Sequence, residues 1–290
     1  MSDFAPRPRR SVLYVPAVNE KALAKIPSLD CDCVVVDLED AVAADAKAAA
    51  REAAARFMSQ RPNDGREYVI RVNALSTEWG RDDLKAAQAC EPDAVLLPKV
   101  DGPKDIMEAD RTLDWRDADK TMTIWAMIET PRALLNVGAI AELGRDNAAR
   151  LACLVAGTND IIKDTGVKAT PDRRYLMPWL LQIVLAARAG GLDVLDGVSN
   201  DFRDLDAFAL ECAEGRNLGF DGKTLIHPAQ IGPANAAFSP SATEIAEAEA
   251  IAAVFALPEN AGKGVVSLDG RMVERLHLAQ AERLLAKARR

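Results

Sequence analysis

Three features are scarce in this sequence: aromatic residues, histidines and long apolar runs. Aromatic residues make up 5% of the 290 residues, and histidine occurs only at His227 and His277. No apolar run approaches the roughly 20 residues that a membrane-spanning helix requires. The basic N-terminal stretch MSDFAPRPRR leads into no long apolar segment with a small-residue cleavage site, so it does not resemble a secretory signal. We therefore expect no contact with a membrane.

The number of cysteines is odd, which does not suit a disulfide framework. They lie at positions 31, 33, 90, 153 and 212. No histidine lies near Cys31 and Cys33 to complete a zinc site, and neither histidine has a cysteine or serine partner that suggests a catalytic triad. We expect reduced, mostly buried thiols in a cytoplasmic protein, and structural roles for the two histidines.

The chain carries an excess of acidic residues. Its formal net charge at pH 7 is -8, with 44 Asp and Glu against 36 Lys and Arg. Nucleic-acid binding depends on concentrated lysine and arginine, so this charge argues against a nucleic-acid partner. It leaves open a small anionic ligand that is held by a local basic cluster.

Short β-rich runs alternate with alanine-rich helical runs. Eight runs are typical of strands, at 12–16, 33–38, 68–73, 94–98, 123–128, 151–156, 192–198 and 223–227. Apolar runs separated by helices indicate parallel strands with right-handed crossovers. Eight such units in about 220 residues fit an α/β fold of the (β/α)8 (TIM) barrel type, which typically needs about 250. A doubly wound open sheet is the alternative, although no G-x-G-x-x-G motif follows the first strand.

The pattern changes near residue 232. We expect a barrel domain over 10–232 and a C-terminal helical arm or lid over 233–290, at a subunit interface. Within the arm, SATEIAEAEAIAAVFAL is predicted to be helical and ENAGKGVVSLDGR to form a glycine-rich turn or small hairpin. The closing RMVERLHLAQAERLLAKARR is predicted to be a final helix.

Charged and polar residues collect where the predicted strands end. In a barrel, the loops that follow the carboxyl ends of the strands carry the function. Six strands deliver a polar group there, and the charged ones are Asp37, Glu39, Asp40, Arg71, Lys99, Glu129, Asp160, Asp196 and Asp201. Because these ends meet on one face of a barrel, the pattern indicates a shared polar pocket.

Three of these residues together suggest a metal site, a hard cation held by Glu129 and Asp160 with Arg71 beside it. Mg²⁺ is typically held by one or two carboxylates, and an arginine fork suits a substrate carboxylate. Each residue also has a structural alternative. Glu129 or Asp160 would cap the helix that follows it, and Arg71 would pair with Asp37 or Glu39.

Lys99 suggests another chemistry, a Schiff base of the kind that some barrel aldolases form. That reaction needs a lysine whose pKa is lowered by burial or by neighbouring cations. A neighbourhood rich in carboxylates would instead keep Lys99 protonated, which favours a salt-bridging role.

Motifs along the chain resemble those of the citrate lyase beta-subunit and malyl-CoA lyase family, in the aldolase/citrate lyase superfamily. They are RSVLYVP at 10–16, VVVDLEDAV at 34–42, IRVNA at 70–74, VLLPKV at 95–100, AMIETPRAL at 126–134, GTNDI at 157–161, LDGVSNDFRD at 195–204, GFDGKTLIHPAQI at 219–231 and the closing GKGVVSLDGRMVERLHLAQAERLL. The resemblance is collinear from residue 10 to the end, which makes it more specific than any single motif.

The resemblance implies a (β/α)8 barrel that forms a homotrimer or homohexamer and binds Mg²⁺. It implies Glu129 and Asp160 as metal ligands, and Arg71 and Glu129 at the substrate, with Arg71 on its carboxylate. Glu39 and Asp40 would hold metal-bound water. The implied reaction is reversible cleavage of a 3-hydroxyacyl-CoA, of malyl-CoA or citramalyl-CoA type, to an acyl-CoA and a 2-oxo acid.

Two segments depart from the family pattern. A segment like M-I-D-x-P-H usually offers an aspartate to the neighbouring subunit's active site as acid/base, whereas MVERLH at 272–277 places Glu274 there. A Gly-x-Arg-like turn after the first strand usually helps to hold coenzyme A, whereas this chain has AVN at 17–19. Tyr14, Lys21 and Lys25 are therefore the candidate coenzyme A contacts, and a solvated helix is the alternative for the two lysines.

The expected function is a Mg²⁺-dependent carbon–carbon lyase acting on such a thioester. One alternative is a CoA-independent class II aldolase acting on 2-oxo acids, which the altered turn at 17–19 suggests. Another is a partner-dependent or non-catalytic citrate lyase beta-like subunit, which Glu274 suggests. Thioesterase activity on the same scaffold also stays open.

Overall fold

Eight parallel strands close into a barrel, which confirms the predicted fold. The computed structural model describes residues 7–113 and 122–288, so the first six residues of the N-terminal stretch and the last two of the predicted final helix lie outside the described residues. The strands are β1 (Ser11–Pro16), β2 (Cys33–Asp37), β3 (Glu67–Arg71), β4 (Ala94–Leu97), β5 (Thr123–Ile128), β6 (Leu151–Ala156), β7 (Asp193–Asp196) and β8 (Gly222–Leu225). Each strand pairs with the next, and β8 pairs with β1 through Ser11 and Lys223.

Helices connect the strands. They are α1 (Glu20–Leu23), α2 (Lys47–Ser59), α3 (Gly80–Ala89), α4 (Pro103–Thr112), α5 (Pro131–Glu142), α6 (Thr158–Thr165), α7 (Met177–Gly190), α8 (Leu205–Leu218) and, after the last strand, α9 (Ile231–Phe238). Both α6 and α7 lie between β6 and β7. A parallel strand needs such a crossover because its neighbour must start again at the same end of the sheet.

The strands are apolar on both faces because both faces are covered. Every residue of β2, β3 and β5 is buried, as expected where side chains fill the barrel and helices cover its outside. The interior cluster includes Val12, Val35, Val69, Leu96, Trp125, Cys153 and Leu195. The barrel is therefore a packed core, and its interior leaves function to the loops at its ends.

An ion-pair network closes the amino-terminal end of the barrel. Arg9 Nε donates to Glu67 Oε2 over 2.7 Å, and Arg9 Nη1 donates to Asp193 Oδ2 over 2.6 Å. The guanidinium carbon also lies 4.7 Å from the centre of the Trp125 ring. Because Glu67 and Asp193 begin β3 and β7, Arg9 ties opposite parts of this end together.

The chain forms two compact units, which divide between Ala237 and Phe238. The second unit contains α10 (Ala242–Ala256), an antiparallel hairpin of β9 (Val265–Leu268) and β10 (Arg271–Glu274), and α11 (Arg275–Ala288). A small core of Phe255, Val266 and Val273 holds it together. The domain boundary at 232/233, and the role of this unit as a lid or subunit-interface arm, stay predictions.

The final helix begins later than predicted, because RMVE at 271–274 forms β10. Asp269 has φ 49° and Gly270 has φ 75°. Positive φ at both central residues is what a type I′ hairpin turn requires, and Asp-Gly is a preferred pair for it. The hairpin alternative at ENAGKGVVSLDGR is confirmed, and its second strand takes the start of the predicted helix.

Within the part of the chain that the structure describes, no helix is long and apolar enough to cross a membrane. All five cysteines are described and are free thiols. Four are buried and Cys90 is half-buried. The expectation of free, mostly buried thiols is confirmed.

Candidate active site

A cavity of about 370 Å³ lies at the carboxyl end of the barrel. Residues at or just after the ends of β1, β2, β3, β5, β6, β7 and β8 line it. Among the residues singled out from the sequence, Tyr14, Asp40, Arg71, Glu129 and Asp160 all line this cavity. The structure therefore brings together side chains that are far apart in the chain.

Arg71 lies at this cavity with its guanidinium fixed by Asp37. Arg71 Nε donates to Asp37 Oδ1 over 2.7 Å, and Arg71 Nη2 donates to Asp37 Oδ2 over 2.6 Å. The structural alternative for Arg71, an ion pair with Asp37, is therefore present. A guanidinium has five N–H donors, and Asp37 takes one from Nε and one from Nη2. Asp37 leaves the Nη1 group, which contacts Met127 Sδ at 3.9 Å, and the second Nη2 hydrogen for other acceptors.

Glu39 is the second carboxylate beside Arg71, and its environment favours the neutral form. Its Oε2 lies 2.8 Å from Arg71 Nη1, but without hydrogen-bond geometry, so this buried oxygen has no hydrogen-bond partner among the described residues. Burial raises the pKa of Glu39 to about 8 against the opposing charge of Arg71, and the nearby charges of Asp40 and Glu129 raise it further. Asp40 is exposed at the cavity rim, 3.7 Å from Arg71 Nη1.

The Tyr14 ring packs against the guanidinium of Arg71. The guanidinium carbon lies 4.8 Å from the centre of the Tyr14 ring, a cation–π distance. Burial raises the pKa of Tyr14 far above its ordinary value, so the phenol stays neutral. Tyr14 therefore lies beside the candidate carboxylate-binding group, and its predicted contact with coenzyme A stays a prediction.

Glu129 directly follows β5, and only one oxygen of its buried carboxylate has a hydrogen-bond partner among the described residues. Its residue is 1% exposed, and its Oε1 accepts the backbone N–H of Lys99 over 2.7 Å. Its Oε2 has no hydrogen-bond partner among the described residues. Burial raises the pKa of Glu129, against the opposing charge of Lys99. A buried carboxylate oxygen without a donor is the kind of group that a metal ion satisfies.

The helix after Glu129 is capped by its neighbour. Thr130 Oγ1 accepts the backbone N–H of Ala133 over 2.9 Å, so Thr130 is the N-cap of α5. The capping alternative for Glu129 is therefore wrong.

Gly157 packs tightly against the Glu129 carboxylate, because a Cβ on Gly157 would lie 2.7 Å from Glu129 Oε2.

Asp160 is the third residue of α6, which begins at Thr158 rather than at Ile161. The capping alternative for Asp160 is therefore also wrong. Its side chain is 21% exposed, and Oδ1 lies 2.7 Å from Lys99 Nζ and 3.9 Å from Lys163 Nζ.

The ammonium of Lys99 lies between the two carboxylates that were predicted to bind a metal. It is 2.7 Å from Asp160 Oδ1 and 3.5 Å from Glu129 Oε1. Burial alone would lower the pKa of Lys99, but the hydrogen bond to Asp160 and the charge of Glu129 raise it above its ordinary value. This confirms the salt-bridging role and disfavours a Schiff base, which needs a neutral amine.

The residues present fit a hard cation that needs few protein ligands. A positive charge already lies between Glu129 and Asp160, and Glu129 Oε2 lacks a partner. Over the described ranges there is no group of three His, Cys, Asp or Glu side chains arranged to hold a metal. Two carboxylates suit Mg²⁺, which is typically held by one or two carboxylates and keeps several waters.

Three candidates are not among the lining residues of this cavity. Lys21 and Lys25 are exposed and are not among its lining residues, and α1 ends at Leu23, before Lys25. Glu274 belongs to the second compact unit, where its backbone N–H donates to His277 Nδ1 over 3.0 Å at the start of α11. His277 therefore has the structural role that was expected. His227 has one too, since its Nδ1 accepts the backbone N–H of Ala229.

Sequence reasoning missed two groups that hold the site loops. Lys47 is buried at the start of α2, and its ammonium donates to the carbonyls of Leu38 and Glu39 and to Asn73 Oδ1. It ties the loop after β2 to the end of β3. In an alanine-rich helix such a lysine looks like a surface residue, so the sequence offered no indication of this contact.

Asn159 and Asn200 form the second group, a reciprocal pair of amides. The two N···O distances are 3.1 Å and 2.8 Å, and the pair joins the first turn of α6, beside Asp160, to the loop after β7. Both residues line the cavity. Both asparagines follow predicted strands, but their pairing depends on the barrel geometry.

A buried ion-pair network surrounds Asp196, the last residue of β7. Lys223 is fully buried, and its ammonium lies 3.0 Å from Asp196 and 2.7 Å from Glu211. Arg173 Nη1 lies 2.8 Å from the same Asp196. This cluster compensates the buried carboxylate of Asp196 and lowers its pKa despite burial.

Comparison with known proteins places this geometry in a family. The family model described as HpcH/HpaI aldolase/citrate lyase matches residues 10–228. A (3S)-malyl-CoA thioesterase of Cereibacter sphaeroides is 43% identical over 97% of this chain and 95% of its own length. The human mitochondrial citramalyl-CoA lyase is 34% identical over 97% of this chain and 86% of its own length.

A solved structure agrees with these relatives. The protein CitE from Mycobacterium tuberculosis, in complex with magnesium, acetoacetate and coenzyme A, has a TM-score of 0.75 and 28% identity, with 99% of both chains covered. The named relatives include lyases, which confirms at the family level the prediction of a lyase-type enzyme. On the extent of these matches, the chain belongs to the HpcH/HpaI aldolase/citrate lyase family.

Proposed function

We propose that the protein is a Mg²⁺-dependent carbon–carbon lyase that acts on a CoA thioester of the malyl-CoA or citramalyl-CoA type. Its products would be an acyl-CoA and a 2-oxo acid. The observation that carries this proposal is the convergence of Glu129 and Asp160 on one positive charge, in a cavity that also holds Arg71. The magnesium and coenzyme A complex of CitE supports it.

Glu129 and Asp160 would hold the metal, with Glu39 and Asp40 placed to orient water beside it. When bound, the metal supplies positive charge to the hydroxyl oxygen that becomes the carbonyl of the 2-oxo acid. Each carboxylate keeps an oxygen for this task, since Lys99 contacts only Oε1 of Glu129 and Oδ1 of Asp160.

Arg71 would bind the carboxylate of the substrate's acid end. Its Nη1 and second Nη2 hydrogens are the donors that Asp37 leaves free, and they give a two-point contact to a carboxylate. Because Asp37 already fixes the guanidinium, the substrate would meet a group whose orientation is set in advance. Such alignment of the breaking bond is worth large factors in rate.

Proton transfer is assigned to Glu274, which a neighbouring subunit of a homotrimer or homohexamer would supply. A base must remove the hydroxyl proton as the carbon–carbon bond breaks, and an acid must then protonate the thioester enolate. A glutamate can serve both steps. Tyr14, Lys21 and Lys25 stay the proposed coenzyme A contacts. Activity that survives Glu274→Ala would remove Glu274 from this scheme.

Thioester hydrolysis is the second candidate function. The relatives named (3S)-malyl-CoA thioesterase are 43% and 44% identical to this chain, against 34% for the human citramalyl-CoA lyase. A thioesterase would release free hydroxy acid and coenzyme A and would leave the carbon–carbon bond intact.

Product analysis separates the candidates. The purified chain is incubated with malyl-CoA or citramalyl-CoA and Mg²⁺, and 2-oxo acid and free thiol are measured in the same sample. A lyase yields 2-oxo acid without free thiol, and a thioesterase yields free thiol without 2-oxo acid. Free malate or citramalate as substrate tests the CoA-independent aldolase. Activity that persists in excess chelator would contradict the metal-dependent proposal.

A further inference from the structure

Lys99 contacts Glu129 with both of its ends. Its backbone N–H donates to Glu129 Oε1 over 2.7 Å, while its ammonium lies 3.5 Å from the same oxygen. The residue has φ 52°, in the left-handed region that a lysine rarely adopts. Residues persist in such conformations only where their surroundings hold them, and functional sites are where they cluster. The fold therefore directs Lys99 to this carboxylate.

The ammonium of Lys99 is also the cation that balances the Glu129–Asp160 pair. Arg71 is already shared by Asp37, Glu39 and Asp40. Lys163 reaches Asp160 only at 3.9 Å, and its side chain is 77% exposed, so solvent screens it. Among the described side chains, Lys99 is the ammonium in contact with both carboxylates.

A divalent cation held by the same two carboxylates cannot share their space with this ammonium. Both are positive, and an ammonium that lies 2.7 Å from Asp160 Oδ1 and 3.5 Å from Glu129 Oε1 would lie close to a cation on the remaining oxygens of these carboxylates, where like charges repel. A second cavity of about 220 Å³ offers the ammonium another place. Lys99 lines it together with Asp101, Asp105 and Lys104, so the two carboxylates there outnumber the one other ammonium.

We propose that Lys99 is a built-in counter-ion that exchanges with the metal. Its ammonium holds Glu129 and Asp160 together when no metal is bound, and it withdraws toward the second cavity when Mg²⁺ binds. Lys99 therefore weakens Mg²⁺ binding while it stabilises the metal-free protein. The inference rests on the metal site of the proposed function.

Calorimetric titration of chelator-treated protein with Mg²⁺ tests this exchange in wild type, Lys99→Met and Lys163→Met. Lys163→Met is the matched control, because it removes one positive charge near the same Asp160 without vacating the space between the carboxylates. We expect Lys99→Met to bind Mg²⁺ at least about tenfold more tightly, since no ammonium has to leave, and Lys163→Met to change the affinity less than about threefold.

Thermal unfolding supplies a second measurement on the same proteins. Without metal, Lys99→Met should have a lower Tm than wild type, because Glu129 and Asp160 then face each other uncompensated. Saturating Mg²⁺ should raise the Tm of Lys99→Met by more than it raises the Tm of wild type. Should Lys99→Met not fold, Lys99→Gln is titrated in its place, with the same direction expected.

Amine labelling gives a test on the unmodified protein. If the ammonium leaves its ion pairs, Mg²⁺ must accelerate labelling of Lys99 relative to exposed Lys85, as followed by mass spectrometry. Unchanged or weaker Mg²⁺ affinity in Lys99→Met, equal tightening in Lys163→Met, or slower labelling of Lys99 with Mg²⁺ would each overturn the exchange. Absence of Mg²⁺ binding in wild type would instead overturn the proposed function itself.

Discussion

Asp37 and Arg71 are register partners on adjacent strands, and their side chains meet in a two-point ion pair at the barrel's carboxyl end. Each of these bonds is shorter than 2.8 Å, and both residues are buried. The pair gives the guanidinium a fixed orientation toward the cavity before any substrate binds. Asp37 is therefore a positioning residue for Arg71 in the proposed reaction.

Replacement of Arg71 by lysine should preserve folding better than it preserves function. Lysine keeps the positive charge beside Asp37, but it has no planar fork to bind two carboxylates at once. We expect kcat/KM for the thioester to fall by at least about 100-fold, because the substrate loses its alignment. Steady-state kinetics measure the loss, and urea unfolding shows whether the fold persists. Wild-type kcat/KM in Arg71→Lys would remove Arg71 from the substrate site.

Gly157 should be irreplaceable because of Glu129. An added Cβ would lie 2.3 Å from Glu129 Cβ and 2.7 Å from its Oε2. Gly157→Ala should therefore displace the carboxylate and weaken Mg²⁺ binding more than tenfold by calorimetry. The matched control is Gly138→Ala in α5, where nothing lies within 4 Å of the added Cβ. That variant should bind Mg²⁺ normally and be more stable by about 0.5–1 kcal/mol, since alanine favours a helix. Equal Mg²⁺ affinity in the two variants would show that the Gly157 contact is unimportant.

Glu39 should impose a pH dependence on stability in the metal-free protein. Its pKa is about 8 in the folded chain, chiefly through burial, against about 4.3 in an unfolded chain. Between these values the folded state holds a proton that the unfolded state has lost, so the free energy of unfolding falls as pH rises from about 4.3 to 8. Glu39→Gln cannot titrate, and its unfolding free energy should fall less over that window. Urea unfolding at pH 5 and pH 8 in chelator measures both slopes, and identical slopes would place the Glu39 pKa near its ordinary value.

Lys223 should matter for stability although it touches no substrate. Lys223→Met would leave the fully buried Asp196 with only Arg173 beside it. Removal of one partner from a buried ion pair typically costs about 3–5 kcal/mol. Lys85→Met, at an exposed position in α3, should change the unfolding free energy by less than about 0.5 kcal/mol. Urea unfolding compares the two, and a similar small effect in both variants would show that Arg173 alone compensates Asp196.

The barrel could be predicted because its strands repeat one local pattern. Each strand is a short apolar run that is buried on both faces, and a polar residue follows where the run reaches the carboxyl end. That rule located Arg71, Glu129 and Asp160 from the chain alone. The rule could not decide whether Arg71 pairs structurally with Asp37 or binds a substrate carboxylate. One guanidinium can do both, because Asp37 occupies only two of its N–H donors.

Contacts that depend on closure of the barrel had no local indication. The Lys47 ammonium reaches three acceptors on two strand-end loops, and Asn159 pairs with Asn200 across 41 positions of sequence. The left-handed backbone of Lys99 is likewise imposed by its surroundings. By contrast, the hairpin before α11 has a local cause in Asp269 and Gly270, and reading that pair as a type I′ turn would have placed the helix start correctly.

The central claim is that Glu129 and Asp160 jointly hold one divalent cation. Anomalous diffraction from crystals grown with Mn²⁺, a substitute for Mg²⁺ that can be located directly, tests it. We predict one strong anomalous peak in the cavity, within bonding distance of a carboxylate oxygen from each residue, and no such peak in Glu129→Gln crystals grown in the same way. A peak that contacts neither carboxylate, or an equally strong peak at that position in Glu129→Gln, would contradict the account.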